Sequence, residues 1–511
     1  MLSIFNHVIG PVIRGPSSSH TGASYFIGRV ARSLLMDEPK EVIFTFDEDG
    51  SYGRVYRQQG SDLAFACGVM GWEIADERFK RSLEIAKSEG VNILFEVGRI
   101  PLTDHPNDVD IRITGRSGKS LRARAKSIGG GAILFTEVNG WPVEIRGDKY
   151  ELLVLARKNS LRRIKEILGD VEVKTNSKDD LVFLQASYSS SPKEVIESLE
   201  GVSGVISVQL AEPVFFPRVG KPLFRSGNEI LGLSESEGYT LGELGIKYES
   251  QLLGLSEREA MNIMLERYRI MRDSVRKGLE NDDLISLRLL KPSAGKIYRA
   301  AKEGNLPQGG LHTRAAARAM AVMHICNSMG VICAAPTAGS AGVIPAVAVT
   351  LEEEWGLNEE EIAKALFAAG AAGLIVGMRA TFAAEEAGCQ VEISAAGAMA
   401  SAMITEAAGG NARQALDAAA IYFQNTMGLV CDLVQGFVEI PCHTRNAIAA
   451  SSSFVCADLV MGGYENPIPY DETVDAVYSV GKMLPKELRC TALGGLAVCP
   501  SALSLKPRLI R

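Results

Sequence analysis

GCQVEISAAGAMASAMITEA (388–407) and GLVCDLVQGFVEIPCHTRNA (428–447) decide the fold class of the second half of the chain. Each couples a cysteine-bearing connection to an Ala-rich run of helical period. Such helices, nearly free of charge, pack closely in the interior of an all-helical domain. Cys389, Cys431 and Cys442 stand at the connections, 42 and 11 residues apart. None forms a CxxC pair, so the pattern is neither a zinc ribbon nor a thioredoxin motif. Free cysteine is a common small buried residue, and spacing alone favours three structural thiols. The neighbours argue otherwise: Gly388, Gln390, Asp432, Pro441 and His443 let backbone N–H groups turn toward a sulfur. Three thiolates without a fourth partner suit a [4Fe-4S] cluster with one iron left open as a Lewis acid. Both readings stand at this level.

Working outward, helical period runs from residue 227 to the C-terminus, with Ala-rich helices predicted over 313–328, 358–378, 394–407, 411–426, 443–461 and 471–483. The connections CAAPTAGSAGVIP (333–345), EEAGCQVEIS (385–394), CDLVQGFVEIPCHTRN (431–446) and RCTALGGLAVCP (489–500) are rich in small residues. Small residues serve close helix packing or let backbone approach a ligand. Residues 319–351 carry no formal charge but are broken by Gly330, Pro336, Gly339, Gly342 and Pro345. They read as buried helices around a loop, not as a membrane span.

The first half reads differently. Residues 1–148 alternate strand patterns with short amphipathic runs, an α+β domain. In it, Ser17, Ser18 or Ser19 is placed to cap the helix after GPSSSHTG, and Ser61 or Asp62 the helix of SDLAFACGV. SLRARAKSIGGGAILFTEVNGWPVEI (120–145) reads as a hairpin-like strand pair around Gly129–Gly131. Residues 149–213 follow as a βαββαβ module, the ferredoxin-like order. Residues 214–226 read as a linker, and 227–511 as the all-α domain. The fold class is therefore multidomain: α+β, then βαββαβ, then all-α.

With 511 residues, 46% hydrophobic, 23% charged and a net charge of −7, the chain is globular and shows no basic patch for nucleic acid. Nine cysteines and no signal-like start point to a reducing cytoplasm.

Taken together, GPSSSHTG (15–22), SIGGG (127–131), PTAGSAGVIP (336–345), AGCQ (387–390), GLVCDLVQGFVEIPC (428–442) with Arg445-Asn446-Ala447, and TALGGLA (491–497) resemble the signature segments of iron-sulfur-dependent L-serine dehydratases. The resemblance spans nearly the whole chain. It implies a β domain, an ACT-like module and an α domain joined in one polypeptide, with Cys389, Cys431 and Cys442 as ligands of a [4Fe-4S] cluster. It implies β-elimination of water from L-serine, giving pyruvate and ammonia. His20, Ser18 and Ser19 are the expected catalytic group. Thr337, Gly339, Ser340, Arg379, Arg445 and Asn446 are expected to bind substrate, Arg445 equally suiting a structural salt bridge. The partner is a small hydroxy amino acid, and the expected assembly is a homodimer.

Four segments depart from the family pattern. Gln59 occupies the region of a usual histidine, and Arg379 to Ala384 replaces small polar residues. LLKPSAGKIYR (289–299) replaces a Gly-rich segment, and Arg489-Cys490-Thr491 replaces R-E-T. A retained cluster with an altered pocket follows, and Arg379 suits a second anionic group on the substrate. That leaves another hydroxy acid or hydroxy amino acid as the alternative substrate. Two other readings differ in class: a regulatory protein that keeps the cluster as a sensor, and a zinc- or thiol-only enzyme. Lys126 before SIGGG is a weak pyridoxal phosphate signal.

Overall fold

The computed structural model describes residues 2–280, 283 and 285–508, so Met1 and residues 509–511 at the ends of the expected domains lie outside the described residues. The chain divides into two units, Ser19–Val219 and Met1–Ser18 with Gly220–Arg511.

The first unit holds two sheets. The larger orders its six strands as Asn92–Gly98, Pro39–Asp47, Asp108–Gly115, Ser120–Ser127, Ile133–Val138 and Trp141–Ile145. The first pair is parallel and the others antiparallel. Alternation sets the buried face: Val109, Ile111 and Ile113 on one strand meet Leu121, Ala123 and Ala125 on the next. Helices Ala23–Leu35 and Ser61–Val69 cross with their backbones touching. A Cβ on Gly68 would lie 2.3 Å from the Tyr25 carbonyl oxygen, so only glycine fits the crossing. No side chain of GPSSSHTG caps helix Ala23–Leu35 at its N-cap position, which is a glycine. A π-turn, Ser18–Gly22, leads into Ala23–Leu35 with Gly22 at the N-cap. Helix Ser61–Val69 likewise starts after Gly60 and has no side-chain cap.

The smaller sheet orders Val205–Ala211, Tyr150–Arg157, Leu181–Tyr188 and Glu172–Lys178, all antiparallel. With helices Leu161–Leu168 and Lys193–Glu200 the chain order is βαββαβ. Leu152, Val154, Ile164, Leu168, Val182, Leu184 and Leu199 form its core. The start of the expected linker is packed, not free. Val214 and Phe215 both donate to the Gly147 carbonyl (2.8 and 2.9 Å), and Phe215 tilts against Phe26.

The second unit is helical. The expected runs appear as Gly310–Asn327, Glu359–Arg379, Ile393–Ala407, Ala412–Thr426, Cys442–Met461 and Tyr470–Met483. Asn358 and Asn411 begin two of them with capping boxes closed by Glu361 and Gln414. Glu359–Arg379 is long and apolar enough to cross a membrane, but 78% of its most apolar window is buried, which makes it a core helix. The second of the buried helices expected around the PTAGSAG loop is Val343–Trp355, which starts inside the expected connection 333–345. One feature was not anticipated: strand Val12–Arg14 pairs with Val331–Cys333. The N-terminus is stapled into this unit because the buried Glu249 carboxylate accepts from the Ile4 and Phe5 N–H groups (2.8 and 2.9 Å) and from the Ser3 hydroxyl. Arg267 donates to the carbonyls of Phe5 and Ile9.

Candidate active site

Three connections of the helical unit bring the cysteines together. Gly388 ends a short helix, Ala384–Ala387, at φ 76°, and Cys389 opens the following 3-10 turn. A Cβ on Gly388 would meet Leu484 Cδ1 at 2.8 Å and the Leu429 oxygen at 3.0 Å, so this close approach needs glycine. Gln390 clamps the next connection. Its N–H donates to the Leu429 carbonyl (3.1 Å), and its side-chain oxygen accepts from the Gly428 N–H (2.9 Å). Cys431 is thereby fixed two residues beyond Leu429. Cys442 begins helix Cys442–Met461. Glu439, just before it, gathers the N–H groups of Arg288, Leu289 and Leu290 (2.6, 2.9 and 2.8 Å).

All three thiols are buried and free. The Cys431 thiol lies beside those of Cys389 and Cys490. Those two contacts, with burial, push Cys431 well above the ordinary thiol range. The Cys431 contact, helped by the Arg445 guanidinium, pulls Cys389 down. Burial raises Cys442, with Arg445 opposing it. Arg445 itself is held by the Val430 carbonyl (2.8 Å) and by Asp432 Oδ1 (2.9 Å), an ion pair whose carboxylate is almost fully buried. Its charge faces sulfur, so it can balance a set of thiolates.

Asn446 joins this group to PTAGSAG. Its Nδ2 donates to the Gly339 and Cys442 carbonyls (2.9 Å each), and its Oδ1 accepts from the Gly342 N–H (3.0 Å). Thr337 and Ser340 are fully buried, with hydroxyls 3.2 Å apart. The Glu392 carboxyl stands beside this loop. A Cβ on Gly339 would lie 3.7 Å from each of its oxygens, and the nearby Thr337 hydroxyl favours its ionised form. Burial first, then the Cys389 and Glu385 charges, raise its pKa well above the carboxyl range.

Arg379 stands apart from this chemistry, forming a bidentate pair with Asp475. Ser18 is buried. In the other unit, His20 Nε2 is 2.9 Å from Ser51 Oγ, and its ring meets Tyr52 edge-on. The Ser19 carbonyl accepts from the Tyr52 hydroxyl. Burial lowers His20 to about 4, so the ring is neutral at pH 7. Gln59 is a near neighbour there, its carbonyl accepting from Thr21 Oγ1 (2.7 Å).

Sequence reasoning overlooked Glu392 and Cys490. Both carried a signal: Glu392 is the lone acid in the apolar run after Cys389, and Cys490 is the residue that breaks the R-E-T pattern.

Among the described residues no three His, Cys, Asp or Glu side chains are arranged to hold a single metal ion. Buried free thiols converging from separate connections, with a guanidinium facing them, fit a larger sulfur-bound group such as an iron-sulfur cluster.

The family model for the serine dehydratase alpha chain matches residues 165–497, well over half of the chain. The chain belongs to the serine dehydratase alpha chain family. Among its members, the chain is 35% identical to the probable L-serine dehydratase alpha chain of Bacillus subtilis over 287 residues, covering 56% of this chain and 95% of that one. It is 34% identical to the L-serine dehydratase alpha chain of Peptoniphilus asaccharolyticus over 275 residues, 54% of this chain and 94% of the relative. It is also 41% identical over 154 residues to the probable L-serine dehydratase beta chain of Bacillus subtilis, 30% of this chain and 67% of that one. One polypeptide thus carries similarity to both an alpha and a beta serine dehydratase chain.

Proposed function

We propose that this protein is an L-serine dehydratase, a lyase that converts L-serine to pyruvate and ammonia with Cys389, Cys431 and Cys442 holding a [4Fe-4S] cluster. The observation that carries the reading is the meeting of those three buried thiols, with Arg445 facing them. When bound, such a cluster supplies a Lewis acid to the departing β-hydroxyl group. The chain's own groups do the rest. The α-proton goes to a base, and the hydroxyl leaves with a proton as water. The enamine becomes an imine, and water hydrolyses it to the 2-oxo acid and ammonia. Glu392, whose pKa burial raises, suits proton donation at the leaving oxygen. Gly339 and the N–H groups of its loop suit the substrate carboxylate, with Thr337 and Ser340 holding that loop and Asn446 fixing it to the cysteine helix. His20, neutral, suits proton acceptance, with Ser18 and Ser19 in the same segment.

The alternative of a more anionic substrate rested on Arg379. Its charge is taken up by Asp475, which removes that support. The βαββαβ module is read as ACT-like, its sheet order matching the ferredoxin-like pattern. A homodimer is supported by Ile448, Val455 and Leu459, exposed at 66%, 48% and 45% along one face of helix Cys442–Met461. Nine free thiols suit a reducing cytoplasm. The test is anaerobic reconstitution with iron and sulfide followed by incubation with L-serine. Pyruvate is expected. A full complement of iron and sulfide with no pyruvate, while another hydroxy acid turns over, rejects serine as the substrate.

A further inference from the structure

We infer that the last turn of helix Gly310–Asn327 is a positioning hub with two separable duties, Cys326 setting the PTAGSAG loop for substrate and Asn327 setting the Cys442 end of the centre, an assignment that rests on the serine dehydratase reading above. Cys326 is fully buried between two segments. Its Sγ lies 3.5 Å from the Ala338 carbonyl oxygen and 3.8 Å from that of Pro16. Burial pushes this thiol up to about 12, so it stays an S–H donor at pH 7. Gly15 closes the contact from the other side. A Cβ there would lie 2.2 Å from the Cys326 carbonyl oxygen and 2.4 Å from its Sγ, so the strand end comes this close only as glycine. Register brings it there. Arg14 donates to the Met329 carbonyl (2.8 Å) and the Gly15 N–H to the Gly330 carbonyl (3.3 Å), beside the pairing of Val12–Arg14 with Val331–Cys333. One thiol thus ties the entry to the Ser18 segment to the residue that precedes Gly339.

Asn327, the next residue, serves a different segment. Its Nδ2 donates to the Val438 carbonyl (2.9 Å), ahead of Cys442, and to His443 Nε2 (3.0 Å), just after it. It also reaches the Met323 carbonyl of its own helix (3.1 Å). An amide nitrogen only donates, so the His443 ring accepts here. Asn446 ties the same first turn of helix Cys442–Met461 to PTAGSAG through Gly339 and Gly342. The Cys442 turn is therefore held from two neighbours, and the Asn327 bonds are the pair that bypasses the substrate loop. Consecutive side chains on a helix point about 100° apart, which is how two adjacent residues hold two separate segments.

The test uses the full-length, anaerobically reconstituted protein as wild type, Cys326→Ala, Cys326→Ser and Asn327→Ala. KM and kcat for L-serine, and the rate of iron loss without substrate, are measured for each. Cys326→Ala should raise KM about three- to tenfold, the cost of one lost hydrogen bond, with kcat and iron loss at wild-type values. Cys326→Ser keeps a donor and should return KM to within about twofold of wild type. Asn327→Ala should lose iron about tenfold faster, the lower end of what losing a metal-site partner costs, with the KM of the loaded enzyme unchanged. Should either alanine variant fail to fold, Cys326→Val, which fills its site without a donor, and Asn327→Asp, which repels the Val438 carbonyl, carry the same expectations. KM and iron loss that change together in each variant, or do not change in either, overturn the inference. Wild type that binds no iron and sulfide, or makes no pyruvate, overturns the dehydratase reading instead, so the two failures are distinct.

Discussion

Asn446 shows how much of this site is held by single side chains. It makes three hydrogen bonds in a fully buried position, two as donor and one as acceptor. Asn446→Ala leaves the Gly342 N–H and two carbonyls without their partner, at a cost of about 2–3 kcal/mol. A lowered denaturant midpoint with unchanged slope checks this. Gly388→Ala meets both an unfavourable φ and the contacts at Leu484 and Leu429, so it should displace Cys389 and reduce iron bound per chain. His20 makes stability depend on pH. Its folded value, about 4, lies below the ordinary 6.5, so between those values the unfolded chain binds the extra proton. Its contribution is complete above pH 6.5 and is lost as pH falls toward 4, amounting to about 3 kcal/mol. His20→Gln should flatten the stability profile in that window, read by chemical denaturation at pH 4.5 and 7.

At the scale of the element, helices with a clear stop and start were legible. The helices expected over 358–378 and 411–426 begin one residue later, at Glu359 and Ala412, because Asn358 and Asn411 stand outside them as caps. Asn358→Ala removes the bonds to Glu360 and Glu361 and should cost about 1 kcal/mol, seen as a lower Tm of the helical unit. Most strands were legible from alternation where one face is buried, but 120–145, read as a pair, holds three, Ser120–Ser127, Ile133–Val138 and Trp141–Ile145. Helix Val343–Trp355 was expected as one of the buried helices around the PTAGSAG loop, but its start was placed too late, because Pro345 and the β-branched Val343 and Ile344 argue locally against helix. Burial of every residue from Val343 to Leu351 overrides that local preference. The Val12–Arg14 strand was invisible because its partner, Val331–Cys333, is more than three hundred residues away. Cys389, Cys431 and Cys442 stood out in the sequence by their glycine, proline and polar neighbours. Cys490 did not, because its placement depends on a backbone bridge to Cys431 that no spacing encodes.

For the whole molecule, the N-terminal segment belongs with the helical unit, although the sequence assigns it to the α+β domain. Glu249 is the reason, and Glu249→Ala would strand the N–H groups of Ile4 and Phe5 and the Ser3 hydroxyl. A loss of about 3 kcal/mol is expected, with residues 2–10 gaining faster amide exchange. The exposed Ile448, Val455 and Leu459 face belongs to this scale too, and Ile448→Glu should lower the mass seen by light scattering from dimer to monomer without unfolding the chain. The central claim is that Cys389, Cys431 and Cys442 jointly hold the iron-sulfur centre of a serine dehydratase. The most direct measurement is iron and acid-labile sulfide content, with pyruvate formation from L-serine, for anaerobically reconstituted wild type beside Cys431→Ala. Wild type should carry four irons per chain and turn serine over, while the variant loses the cluster, the brown colour and the activity. A variant that keeps both colour and pyruvate formation would contradict the account.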